Sequence, residues 1–115
     1  MHRTTGNFYF KLTTAGHLIG EYSNHANPWA RPECAFREDD IPDCERRSFE
    51  GRYVSTWYEP DSRSAEVLIL TIEARNDSLL LFNLSWSDRN GRPHYSGQAM
   101  LNDGQLIGNY WSVDS

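Results

Sequence analysis

The sequence predicts an all-β chain, an antiparallel meander of about seven to eight strands forming a small closed or nearly closed β-barrel. Three observations carry this expectation. Apolar and polar residues alternate with the period of a strand almost throughout. Turn signals recur at short intervals between the alternating runs. One seven-residue phrase also occurs twice, as Gly16-His17-Leu18-Ile19-Gly20-Glu21-Tyr22 and as Gly104-Gln105-Leu106-Ile107-Gly108-Asn109-Tyr110. A fragment of it returns as Gly51-Arg52-Tyr53. The phrase describes a turn feeding a strand that carries a glycine kink and an aromatic two residues later. Such kinks curl a twisted sheet toward closure.

In chain order, Asn7 to Thr13 sets Phe8, Phe10 and Leu12 against Tyr9 and Lys11. The turn Thr14-Ala15-Gly16 leads into His17 to Asn24, and the two runs read as a hairpin. Glu50 to Glu59 places Tyr53, Ser55 and Trp57 on one face and Val54, Thr56 and Tyr58 on the other. Pro60 to Ser64 is a loop by composition. Ala65 to Ala74 is aliphatic and β-branched, and Arg75-Asn76-Asp77 turns it into Ser78 to Ser87. Asp88-Arg89-Asn90-Gly91 is a strong hairpin signal, because Asn-Gly suits positive φ. His94 to Leu101, the turn Asn102-Asp103-Gly104 and Gln105 to Val113 complete the meander. Between the second and third of these runs lies a long irregular loop, about 25–48, which holds three prolines, both cysteines and a dense charge mix. Connections of this length are usually functional. A short helical turn fits Ala35 to Asp40. If the barrel needs an eighth strand, it is either hidden in this loop or supplied by a second chain.

At 115 residues the chain is expected to be a single β-barrel domain, 1–115, with one core that needs no metal or disulfide. A net charge of −5 argues against wholesale binding of a nucleic-acid backbone. Lys11 is the lone lysine beside ten arginines. The longest apolar run, Val67 to Leu70, is far too short to span a bilayer. Met1 to Gly6 carries no apolar leader core. The expected compartment is therefore cytoplasmic, with Cys34 and Cys44 as free thiols.

The Gly-x-Leu-x-Gly-x-Tyr phrase resembles the avidin family of small up-and-down barrels. Further landmarks follow in the same order: Gly51-Arg52-Tyr53 after a long loop, Leu84-Ser85-Trp86 at a strand end, and Tyr95-Ser96-Gly97-Gln98. The resemblance implies a barrel. It also places Tyr22 and Asn24 where that family hydrogen-bonds the ring of its ligand. The family's Gly-Thr-Trp opening is absent here, and biotin binding is not carried over.

The chemistry-bearing patterns are sparse. His25, Cys34 and Cys44 share the irregular stretch, but structural zinc sites pair cysteines two to four residues apart. Gly-x-Ser-x-Gly is absent, and His94 beside Ser96 is strand alternation. No catalytic residue, metal ligand or cofactor is assigned. The aromatic residues remain. Barrels of eight strands can enclose one small ligand, and aromatic walls with a few amides or hydroxyls make a normal pocket. The expected function is a non-enzymatic binding module with a small-molecule ligand at one barrel mouth. Its expected residues are Tyr22, Asn24, Tyr53, Ser55, Trp57, Asn83, Ser85 and Trp86. Two alternatives stay open: a protein-interaction or homo-oligomerisation module with a filled core, pairing through edge strands, and a small barrel enzyme using His94 or a rim carboxylate. No nucleic-acid or membrane partner is expected.

Overall fold

The computed structural model describes residues 4–26, 28–38, 48–59, 64–76 and 80–113. Eight antiparallel strands follow one another round a closed barrel: β1 (Thr5–Leu12), β2 (Leu18–Asn24), β3 (Arg31–Arg37), β4 (Gly51–Glu59), β5 (Ser64–Ala74), β6 (Leu81–Ser87), β7 (Pro93–Asn102) and β8 (Gln105–Ser112). Each strand pairs with its neighbours in sequence, and β8 returns to pair with β1. The expected meander is therefore the observed fold.

The eighth strand lies inside the segment expected to be a long irregular loop. β3 pairs with β2 through Leu18↔Ala35 and Gly20↔Glu33, and with β4 through Ala35↔Ser55 and Glu33↔Trp57. The helical turn expected at 35–40 is replaced by strand over its first three residues, and Asp40 lies outside the described residues. The physical reason is an inverted pattern. β3 turns Arg31, Glu33, Ala35 and Arg37 inward, while Cys34 is half-buried and Phe36 is 55% exposed on the outer face. Apolar-in, polar-out alternation fails on this strand, and pattern reading fails with it. Cys34 is a free thiol; Cys44 lies outside the described residues.

The core is built from the alternate residues of the other strands. In register across five strands run Leu12, Leu18, Ala35, Ser55 and Leu68. Phe10, Leu70, Ile72 and Leu106 are almost fully buried around them. Burying such side chains contributes about 2 kcal/mol each. The two turns flanking the repeated phrases use positive φ where the sequence expects it. Asp103 and Gly104 have φ of 54° and 76°, the requirement of a tight type I′ hairpin. At the β6–β7 hairpin, Asp88 Oδ1 accepts from the backbone N–H groups of Asn90 at 2.9 Å and Arg92 at 3.0 Å.

One end of the barrel is plugged. The Arg37 guanidinium donates from Nε to the Gly16 carbonyl at 2.9 Å, from Nη1 to that of Glu50 at 2.9 Å, and from Nη2 to that of Ser48 at 2.7 Å and to the Tyr53 hydroxyl at 2.5 Å. Its central carbon lies 4.7 Å over the Tyr53 ring. The Tyr53 hydroxyl in turn donates to the Phe49 carbonyl at 2.8 Å. One cation thus ties the β1–β2 turn to the segment entering β4. Replacing Arg37 with methionine keeps most of the side-chain volume but removes these donors, and should destabilise the fold by about 2 kcal/mol. Urea denaturation reads the shift; an unchanged midpoint would show that the plug is not held by this cation.

Candidate functional site

The opposite end carries the β2–β3 loop, the β6–β7 hairpin and both ends of the described chain. The repeated phrase explains what gathers there. β1 is flanked by β2 on one side and β8 on the other, so the two copies of the phrase lie on either side of one strand. Their glycines face the phenylalanines of β1, Gly20 opposite Phe10 and Gly108 opposite Phe8. Their tyrosines, Tyr22 and Tyr110, arrive two residues further on with ring centres 6.5 Å apart. Tyr110 also packs over Gly6, where a Cβ atom would stand 2.7 Å from its ring. An aromatic ring thus fills the gap left by a glycine, a device that holds a kinked sheet together.

Two further rings complete the mouth. Trp57 lies 6.5 Å from Tyr22, Tyr95 lies 6.4 Å from Trp57, and Tyr110 lies 5.8 Å from Tyr95. Tyr22, Trp57, Tyr95 and Tyr110 thus form a closed circuit, and each ring stands at 73–81° to the next. Phe8 and Trp86 line the same space and meet edge to face at 5.6 Å. The cavity has a volume of about 40 Å³. Asn24 sits on its wall and donates from Nδ2 to the Tyr110 hydroxyl at 3.1 Å, while its Oδ1 accepts from the Ala26 N–H at 3.0 Å. The amide therefore both closes the turn after β2 and orients a ring of the circuit.

Among the described residues, the one charged residue lining this cavity is Glu33. It is 5% exposed and faces inward from β3. The Ser55 hydroxyl donates to its Oε2 at 2.5 Å, and the Trp86 indole N–H donates to the same oxygen at 3.0 Å. No described residue donates to Oε1. Burial raises the carboxyl from its ordinary 4.5 to about 7, against the lowering effect of Ser55 and Trp86. At neutral pH this group therefore holds or releases a proton with small changes in its surroundings. Arg31 precedes it by two residues on the same face, and its Nε is buried without a hydrogen-bond partner among the described residues.

Of the sequence-derived site residues, Tyr22, Asn24, Trp57 and Trp86 line the cavity, and Ser55 sits behind it as a donor to Glu33. Tyr53 belongs to the plug at the other end. Asn83 is exposed and Ser85 half-buried; both point to the outer face, because Phe82, Leu84 and Trp86 take the inner positions of β6. His94 lies on the exposed β6–β7 hairpin, with Nε2 3.2 Å from Asp88 Oδ2. Sequence reasoning reached Phe8, Tyr95 and Tyr110 as aromatics without assigning them to the site, and did not reach Glu33. For Glu33 the residue pattern holds no signal, since its strand inverts the usual alternation.

Among the described residues no group of three His, Cys, Asp or Glu side chains stands close enough to hold a metal, and no helix is long and apolar enough to cross a membrane. Compared with protein families, with curated proteins and with solved structures, the chain matches none of them.

Proposed function

We propose that this protein is a non-enzymatic binding module that takes a small molecule into the aromatic mouth of its barrel. The observation that carries this reading is Glu33. A carboxyl in a barrel interior costs several kcal/mol unless it is fully satisfied. Here two donors converge on one oxygen of a carboxyl group that lines a cavity with aromatic walls. A core selected for packing alone is served better by leucine at this position. Few convergent polar groups within aromatic walls are what a binding site requires.

The test is native mass spectrometry of protein purified from its own host, followed by a denaturing run. A bound ligand gives an extra mass that vanishes on denaturation. Trp57→Ala should remove at least about tenfold of the affinity and leave the barrel folded, because Trp57 is half-buried at the rim. Undiminished binding in that variant would remove the mouth from consideration. Tyr53 does not serve this purpose, since its loss would disturb the plug.

A second reading rests on the outer face. Ile19 of β2, Phe36 of the adjacent β3 and, across β4, Val67 of β5 are each at least half exposed. Closure pairs every described strand on both sides, so copies of the chain would associate through this face rather than through strand edges. The same native spectrum reports it as a dimer or higher species.

A further inference from the structure

We infer that the mouth receives the cationic end of a small organic amine, a primary or singly methylated ammonium group, with the rest of the molecule leaving through the opening. The inference rests on the small-molecule reading above and names its ligand class. Three observations support it independently of one another.

The first is the ring circuit. Four rings with centres 5.8–6.5 Å apart form a closed loop, each nearly perpendicular to the next, around the cavity they line. A cation held over the face of such a ring within about 6 Å of its centre is attracted by the ring quadrupole. Neutral apolar groups gain far less from such a box than a charge does.

The second is charge. Among the described residues no lysine, arginine or histidine lines the cavity, and Glu33 is an acid. Arg31 lies opposite Tyr22 in the β2–β3 register but outside the cavity lining. The causes acting on the Glu33 carboxyl are burial, Ser55 and Trp86, with no arginine among them. A ligand ammonium would supply the missing counter-charge, donating an N–H to the unoccupied Oε1.

The third is size. A space of about 40 Å³ accommodates a few non-hydrogen atoms. That suits an ammonium head and excludes a whole metabolite. Because the cavity sits at a barrel mouth, a chain attached to the head has a way out.

The experiment titrates the intact protein with n-butylammonium and with 1-butanol, its neutral counterpart of similar shape, following the intrinsic tryptophan fluorescence, to which Trp57 and Trp86 of the mouth contribute. It is run well above pH 7, where Glu33 is ionised. Butylammonium should bind in the millimolar range or tighter and about tenfold or more ahead of butanol. Glu33→Gln should remove most of that preference, and Trp57→Phe, which keeps a ring, should retain it. Equal binding of the alcohol and the ammonium overturns the cation inference but leaves the small-molecule reading standing. An ammonium preference that survives Glu33→Gln overturns the pairing with Glu33. No response to butylammonium overturns the ligand class, and the native mass spectrum then decides the small-molecule reading by itself.

Discussion

Replacing Glu33 with glutamine should stabilise the protein above pH 7 by on the order of 3 kcal/mol. The carboxyl stands at about 7 in the folded chain and near 4.5 when exposed. Ionisation is thus harder in the barrel than in the unfolded chain. Below the lower value both states carry the proton and the group costs nothing by this route. As pH rises from there to about 7, the unfolded chain releases its proton and the folded chain keeps it, so stability falls by about 1.4 kcal/mol per pH unit. Above 7 both are ionised and the loss is complete. Around this carboxyl stand Ser55 and Trp57 from β4, Trp86 from β6 and Tyr22 from β2, with Arg31 and Glu66 on the inner positions toward the rim. Arginine and tyrosine do not titrate in this range. Glutamine keeps an oxygen for Ser55 and Trp86 and carries no charge. The variant should show a flat stability over the interval where the natural protein declines. Urea denaturation of both proteins at pH 5 and pH 8 reads this directly. A variant less stable than the natural protein at pH 8 would mean that Glu33 is a satisfied structural group, and the main support for a binding site would go with it. If the gain is found, the chain holds a destabilising carboxylate at its mouth, which fits a residue retained for function.

The architecture was legible because most strands obey one rule. On β1, Phe8 and Phe10 are inward at every second position, and on β5 so are Leu68, Leu70 and Ile72. Glycine-bearing turns then separated the runs. The glycines of the repeated phrase stand where neighbouring backbone comes close, Gly20 against the Tyr9 carbonyl and Gly108 against that of Gln98. What the sequence could not convey is that its two copies lie on either side of β1, which turns a geometric repeat into two walls of one site. That juxtaposition depends on closure, a property of the whole chain. β6 shows a different limit. Asn83 and Ser85 form as regular a row as Phe82, Leu84 and Trp86, and an inward polar row is acceptable in a ligand-binding barrel. Packing decided for the larger apolar set. β3 was opaque for the reason that makes it informative: it turns an acid inward and a phenylalanine outward. A strand that breaks the pattern at a cost to stability is where function is to be sought.

The largest loss is expected at Gly20, where alanine should cost about 4 kcal/mol or more. A Cβ built there would stand 1.8 Å from the Tyr9 carbonyl oxygen and 2.9 Å from Phe10 Cδ1. The second contact is with a side chain, whose ring has some room to turn. The first is with backbone, so β1 and β2 must separate locally and the hydrogen bonds between them must lengthen. Gly91 provides the comparison. Its φ is +83° and nothing lies within 4 Å of an added Cβ, so alanine there meets only the left-handed strain, about 1 kcal/mol. Unfolding both variants in urea separates close approach from backbone conformation as the reason for glycine. Equal losses would mean that strand separation at Gly20 is easily relieved. The site supplies a second readout. Tyr22 follows Gly20 by two residues and leans on Trp57 and Tyr110, so opening the β1–β2 ladder should displace one wall of the ring circuit. Gly20→Ala should therefore alter the tryptophan fluorescence, to which Trp57 contributes, even in the fraction that folds, whereas Gly91→Ala should leave it unchanged. The close approach at Gly20 and the ring circuit are in this sense one construction: the strand that glycine lets pack against β1 carries Tyr22 to Tyr110.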